Sequence, residues 1–309
     1  MIYTVTLNPA LDKTVEIPSF TIDSVNRITN LRTDPGGKGI NVSKVIDKLG
    51  SKSIATGILG GDTGRSILSA LEKLGIKGDF LMVEGETRTN LKVVDPVLHT
   101  NTDINEPGIT VSKEILDELL ERLLSHIGPQ DIVVISGSMP KGSPQDTYYS
   151  WVNACKAAGA KVILDADGAL LAEGLKAAPY LVKPNNHELS GLMGRELNSP
   201  RELAQAAKEL IAGGVEKVIV SMGGKGALYV TADEVLYAEG LKVPVGSTVG
   251  AGDSVVAAMA VAEEAGMSLM EAAVLSTATG AANVMCSGTQ AAEYEVVKEL
   301  MGRVKCYPL

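Results

Sequence analysis

The sequence has little with which to hold a polyanion. Its 309 residues contain 28 Lys and Arg against 37 Asp and Glu, a formal charge of −9. No basic stripe is available to release the counterions of a nucleic acid. Aromatic residues make up only 4%, with one Trp, so the stacking platforms that single-stranded nucleic acid requires are missing as well. Cys155, Cys286 and Cys306 are far apart and odd in number, which fits neither a disulfide framework nor a zinc ribbon. No window approaches about 18 continuous apolar residues, which excludes a membrane-spanning helix. The start, Met1-Ile2-Tyr3-Thr4-Val5-Thr6-Leu7, is a strand pattern without the basic and long apolar regions of a secretory signal. The expectation is a cytoplasmic, reduced protein whose partners include neither nucleic acid nor membrane. An anionic small molecule remains admissible where a few cations gather locally.

What is present is apolar bulk and turns. The chain has 45% hydrophobic residues and 33 glycines, enough for one large α/β domain or a domain with an insert. Ile54–Leu59, Ile132–Ser136, Lys161–Leu164, Tyr180–Val182 and Val218–Ser221 read as buried parallel strands. Between them, Gly39–Leu49, Gly64–Leu74, Lys113–His126, Gln145–Ala157 and Pro200–Ile211 carry helical spacing. This alternation predicts an α/β fold with a doubly wound, mostly parallel sheet flanked by helices. Ligands on such sheets bind outside the carboxyl ends of the strands, where Gly-rich turns collect. Lys13–Thr33 and Thr87–Glu106 break the rhythm with short alternating runs. They predict a small β-sheet lid, formed by about 13–33 and 87–106, on a single domain spanning 1–309; two long surface loops are the alternative.

Several segments carry residue types suited to phosphate chemistry. Ser247-Thr248-Val249-Gly250-Ala251-Gly252-Asp253-Ser254 runs straight into the apolar stretch Val255–Ala260. Small residues allow close backbone approach, and a helix start offers free N–H groups and a dipole that attract phosphate. Asp253 would then be a proton acceptor beside that phosphate. An ordinary helix start capped by Thr248 or Asp253 fits these eight residues equally well. Pro35-Gly36-Gly37-Lys38-Gly39 leads into a second helical run containing Asn41, and Lys38 brings a mobile cation. The Gly-x4-Gly-Lys-Ser/Thr spacing of a P-loop occurs nowhere, and the third glycine of a dinucleotide fingerprint is missing. A plain turn into a helix is the alternative.

Arg88, Asn90 and Lys92 alternate along one lid strand and share a face. They are either binding groups or the solvated face of an edge strand. Asp12 follows a strand and a Pro turn, where a carboxylate can accept bonds from two sugar hydroxyls or simply solvate the turn. In Lys183-Pro184-Asn185-Asn186-His187-Glu188, Asn185 and Glu188 suit either a capping box or the outer shell of a Mg²⁺ ion. Ser221-Met222-Gly223-Gly224-Lys225-Gly226 lies between strands, as a backbone wall against a nucleotide or as a hairpin turn.

These segments follow one another in a specific order. From Thr6-Leu7-Asn8-Pro9, through the Gly-Gly-Lys-Gly loop, Gly137-Ser138-Met139-Pro140, Lys183-Pro184-Asn185, Ser221-Met222-Gly223 and Gly250-Ala251-Gly252-Asp253, to Gly288-Thr289, the series resembles the phosphofructokinase B family of ribokinase-like carbohydrate kinases. Pro35–Ser43, Thr87–Lys92 and Thr102–Asn105 look like the branch that takes fructose 1-phosphate. Tagatose-6-phosphate kinases look similar in several of these places, whereas minor 6-phosphofructokinases typically lack a Lys matching Lys38. Ser247 stands where free-sugar kinases of the family often carry an Asp, a departure that bears on a monovalent-cation site.

The resemblance implies a ribokinase-like fold and an ATP- and Mg²⁺-dependent kinase acting on a small ketohexose phosphate. It implies Asp253 as the base, with the amides of Gly250, Ala251 and Gly252 as an anion hole. By the same resemblance Lys183, Asn185, Ser221, Gly223, Gly226 and Thr248 would border ATP, and Glu188 would organise Mg²⁺ through water. Asp12, Gly37, Lys38, Asn41, Arg88, Asn90 and Ser138 would hold the sugar phosphate. A homodimer joined through the lid is also implied.

Overall fold

Runs rich in Val and Ile, buried on both faces, set the centre of the molecule. The computed structural model describes residues 1–309. In chain order its strands are β1 (Ile2–Thr6), β2 (Ala10–Glu16), β3 (Asn30–Gly36), β4 (Ser53–Gly60), β5 (Lys77–Val83), β6 (Arg88–Asp95), β7 (Thr100–Asn105), β8 (Ile132–Ser136), β9 (Lys161–Asp165), β10 (Leu181–Val182), β11 (Lys217–Ser221), β12 (Gly226–Val230), β13 (Val235–Glu239) and β14 (Cys306–Pro308). The helices are α1 (Lys38–Lys48), α2 (Gly61–Lys73), α3 (Lys113–Leu124), α4 (Thr147–Ala157), α5 (Gly168–Leu175), α6 (Asn186–Met193), α7 (Pro200–Ala212), α8 (Ala251–Glu264), α9 (Leu269–Val284) and α10 (Tyr294–Met301).

Ten strands form one sheet in the order β14-β13-β12-β11-β10-β9-β8-β1-β4-β5. Neighbours from β5 to β11 run parallel, and β12 to β14 add an antiparallel edge. The expected doubly wound, mostly parallel sheet is therefore present. One core cluster, with Leu119, Val133 and Trp151, packs α3 to α7 on one face; the other, with Ile2, Val45 and Met259, packs α1, α8, α9 and α10 on the opposite face. Each fully buried Leu or Ile there contributes about 1.5–3 kcal/mol. No helix is long and apolar enough to cross a membrane.

Element ends differ from the sequence expectation where distant groups intervene. The start of α2 lies at Gly61 rather than Gly64, because the Glu86 carboxylate accepts from the amides of Asp62 and Thr63. The start of α4 lies at Thr147 rather than Gln145: its amide and hydroxyl both donate to the Pro144 carbonyl, which holds the two preceding residues in a turn.

A separate four-stranded sheet runs in the order β3-β2-β6-β7. Its central pair β2 and β6 is parallel, placing Asp12 opposite Asn90, and both outer pairs are antiparallel. Because β1 passes into β2 through Asn8-Pro9 and β3 leads into α1, this sheet stands at the carboxyl end of β1. Ile22, Val25, Ile28, Leu31 and Ile104 of this region are exposed apolar side chains.

Candidate active site

The segment before α8 ends in left-handed backbone at Gly250 (φ 81°), a conformation that favours glycine. No side chain caps this helix, so the capping role open to Thr248 and Asp253 is not used. The first-turn amides of Gly252 and Asp253 are left free, while the Ala251 amide makes a long 3.4 Å bond to Thr248 O. Thr248, Ala251 and Gly252 line one cavity of about 520 Å³. Val249, Gly250 and Asp253 line a second, of about 410 Å³. The amide-bearing helix start is thus the common wall of two cavities.

The smaller cavity is polar, with Val249 its one apolar lining residue. Asp12, Gly37, Lys38, Asn41, Arg88, Asn90 and Ser138 all line it, as the sequence reading grouped them, together with Lys92, Asp103 and Thr289. Gly37 (φ 108°) immediately precedes α1, and a Cβ on it would meet Thr6 Cγ2 at 2.6 Å. Arg88 donates to the carbonyls of Asn8 (3.0 Å), Pro9 (3.4 Å) and Glu106 (3.4 Å). None of these acceptors is a carboxylate, so the guanidinium is fixed in place while its charge stays available to an anion. Asn90 Nδ2 donates to Asp12 Oδ1 at 2.9 Å, and burial raises the Asp12 pKa above the usual carboxylate range.

Thr6 Oγ1, Asn41 Oδ1, Asn90 Oδ1 and Ser136 Oγ are buried without a hydrogen-bond partner, and all four residues line this cavity. Each such atom costs roughly 1–3 kcal/mol. Their residues line the cavity, so four unmet polar groups lie in its wall.

Asp253 is 7% exposed, and its Oδ2 accepts from Asn41 Nδ2 at 2.9 Å. Burial and then the nearby Asp165 charge push its pKa up to about 6, against the Asn41 hydrogen bond and the Lys38 and Lys183 charges. A carboxylate of this kind is mostly ionised at neutral pH yet basic enough to take a proton.

Asp165, at the end of β9, was not singled out from the sequence. It is 3% exposed, with Oδ1 at 3.2 Å from Lys183 Nζ and Oδ2 at 3.7 Å from Lys38 Nζ. Its one sequence signal was its position at the carboxyl end of an expected parallel strand. Burial opposes the Lys38 charge, but Asp165, Asp253, Asp167 and Glu188 outweigh it and raise the Lys38 pKa. Lys44 was also missed. It is buried, donates to Pro35 O (3.0 Å) and Thr289 Oγ1 (3.4 Å), and burial brings its pKa down to about 8.

The larger cavity is built from backbone and small apolar groups. Ser221, Gly223 and Gly226 reach it from the β11–β12 connection, where a 3-10 turn (Gly223–Lys225) joins antiparallel strands. Hairpin turn and cavity wall are therefore the same feature. Val243, Gly280, Ala281 and Val284 complete it and carried no motif. Lys183, Asn185 and Glu188 line neither cavity. A Cβ on Gly252 would lie 3.2 Å from Lys183 Nζ, which places that cation against the α8 start. Asn185 Oδ1 accepts from the amides of His187 (2.9 Å) and Glu188 (2.8 Å), and Glu188 Oε2 accepts from the Asn185 amide (2.8 Å). These two residues form the capping box of α6.

Comparison with known proteins agrees with this geometry. Residues 5–295 match the pfkB family carbohydrate kinases. A 1-phosphofructokinase of Bacillus subtilis is 39% identical over 99% of this chain and 99% of its own length. A 1-phosphofructokinase of Haemophilus influenzae is 36% identical over 98% and 97%. The crystal structure of phosphofructokinase-2 from Escherichia coli in complex with fructose-6-phosphate superposes with a TM-score of 0.92 at 31% identity, covering 98% of each chain. The chain belongs to the pfkB family of carbohydrate kinases and has their ribokinase-like fold. It is a sugar kinase, transferring a phosphoryl group to a hydroxyl.

Proposed function

We propose that this kinase phosphorylates D-fructose 1-phosphate with ATP, giving fructose 1,6-bisphosphate and ADP. The observation that carries the reading is the shared wall at the α8 start. On one side lies a polar cavity with the carbonyl-anchored cation Arg88 and four unpartnered buried polar atoms; on the other lies a largely apolar cavity with glycine walls. The relatives named 1-phosphofructokinase support fructose 1-phosphate as the acceptor, and Lys38 in the polar cavity is consistent with it. Tagatose 6-phosphate and fructose 6-phosphate are the competing acceptors, the latter being held by the Escherichia coli structural relative.

In this reading the sugar phosphate lies in the polar cavity with its phosphate near Arg88 and its reacting hydroxyl near Lys38 and Asp253, and Asp12, Asn41 and Asn90 bond its other hydroxyls. Asp253 accepts the proton of the attacking hydroxyl, and the free amides of the α8 start stabilise the moving phosphoryl group. Phosphoryl transfer depends mainly on positioning and charge stabilisation, which these groups supply. ATP occupies the larger cavity, bordered by Ser221, Gly223, Gly226 and Thr248, with Lys183 close to its phosphates.

Mg²⁺ would neutralise phosphate charge. Asn185 has its side-chain oxygen committed to two amides, and no group of three or more acidic, His or Cys side chains forms a metal site. Glu188, with one carboxylate oxygen in no hydrogen bond, fits the outer shell of such an ion through water.

The small sheet acts as a lid over the sugar phosphate, excluding water that would otherwise compete for the phosphoryl group. A second copy of the chain covers its exposed apolar residues and open edges β3 and β7. Light scattering at micromolar concentration should return a dimer; a monomer would contradict the pairing. The three free thiols suit a reducing cytoplasm.

The deciding assay compares ATP-dependent turnover of fructose 1-phosphate, fructose 6-phosphate and tagatose 6-phosphate. The highest kcat/KM should belong to fructose 1-phosphate, with fructose 1,6-bisphosphate as the product. A higher value for either of the others would overturn the assignment.

A further inference from the structure

We propose that Asp165 is a positioning residue that ties Lys38 of the acceptor cavity to Lys183 of the nucleotide side, so that both cations meet the moving phosphoryl group in one fixed arrangement. This rests on the kinase reading above. Asp165 lines neither cavity, and both of its oxygens face lysine ammonium groups, so its role runs through the side chains it holds. Its two oxygens are divided between the two ammonium groups, 3.2 Å to Lys183 and 3.7 Å to Lys38. Lys38 faces the polar cavity, and Lys183 packs against Gly252 at the helix start between the cavities. The carboxylate thus bridges the two halves of the site at the partition itself.

A buried anion beside a centre that binds anions works against affinity. For affinity alone the two lysines would serve better unpaired. Its value lies in geometry, because a lysine ammonium on a four-carbon stem has no preferred direction until something holds it. Misplacing a catalytic group by about 1 Å costs on the order of 10²-fold in rate. Asp165 also acts on the base. The charged groups around Asp253 are Lys38 and Lys44 from α1, Asp165 from β9 and Lys183 beyond β10, with the neutral Asn41 amide bonded directly. Asp12, Asp103, Asp167, Arg88 and Lys92 line the same cavity. Burial is the largest cause of the raised Asp253 pKa, and Asp165 is the negative neighbour that adds to it against the two lysines.

The test is Asp165→Asn, which keeps the shape and removes the charge. Turnover should fall about 10- to 100-fold, while neither substrate KM rises, because both lysines become freer to attract anions. The acidic limb of the kcat profile, expected near pH 6 in the unaltered enzyme, should move to lower pH. The sign follows from the loss of a negative neighbour, which lets Asp253 ionise more easily. Asp165→Glu should recover part of the turnover. Raised KM values for both substrates with an unmoved limb would mark a merely structural role and overturn the proposal.

Asp165→Asn leaves two cations unpaired and could fail to fold. In that event Lys38→Met is compared with the charge-balanced Lys38→Met/Asp165→Asn. A further loss of at least threefold in the double variant is expected, since Lys183 is then released; equal rates would overturn the proposal. The measurements use whichever sugar phosphate the unaltered enzyme converts fastest. Failure of fructose 1-phosphate as acceptor therefore sinks the substrate assignment alone, and absence of transfer to any sugar phosphate sinks both.

Discussion

The two cavities on either side of the α8 start are made of opposite materials. The polar one gathers charged and amide side chains from the β1–β2 connection, α1, the small sheet and the loop after β8. The larger one is mostly backbone, glycine and small aliphatic groups from the C-terminal part of the chain. One can recognise a ligand by charge and hydrogen bonds, the other chiefly by shape. The contrast matters for a kinase, because the acceptor must be distinguished from closely similar sugars. In the proposed reading the donor's base need only fit a slot, while its phosphates meet the helix start.

Asp253 belongs to the shared wall, and substitution there should break the reaction without disturbing either recognition. Asp253→Asn should fold normally and lose roughly 10²- to 10⁴-fold in turnover, since an amide cannot take the hydroxyl proton. ATP affinity, measured by calorimetry, should stay within about twofold. Turnover within about threefold of the unaltered enzyme would remove Asp253 from the role of base.

A smaller effect should come from crowding the apolar side. Ala281→Leu adds volume to a wall of the larger cavity, proposed to hold ATP, and overpacking typically costs about 1–3 kcal/mol. The ATP KM should rise on the order of tenfold, with the acceptor KM unchanged. An equal rise in both would show that the cavities are not independent.

The same contrast governs what the sequence disclosed. Recognition by charge needs particular residues at particular places. The Gly-Gly-Lys-Gly loop, the alternation of Arg88, Asn90 and Lys92, and the Gly-Ala-Gly-Asp turn could therefore be picked out as candidates, each with a structural alternative that only the resemblance of the ordered series decided. Recognition by shape uses residues common in any core. Val243, Ala281 and Val284 gave no sign, and the nucleotide side was visible only through the glycines near Gly223 and Gly226. The parallel sheet was legible because its strands are buried on both faces and appear as unbroken apolar runs. The start of α2 was not, because Glu86 caps it from a distant part of the sequence. Asp165 escaped for a related reason. A carboxylate between two lysines far along the chain has no local pattern, and only the sheet order β10-β9-β8-β1 with α1 above it brings the three together. Asn185 and Glu188 could be read two ways, and their hydrogen bonds form a capping box.

The division of labour between the cavities is tested most directly by Arg88→Ala, titrated by calorimetry with fructose 1-phosphate and, separately, with ATP. Arg88 is held by three carbonyls at the start of β6, so in the proposed reading its removal deletes a charge-assisted contact to the sugar phosphate worth about 1.5–3 kcal/mol. The expected result is a sugar-phosphate Kd weakened about 10- to 150-fold with the ATP Kd within about twofold. A variant that loses ATP while keeping the sugar phosphate would contradict the assignment of the two cavities.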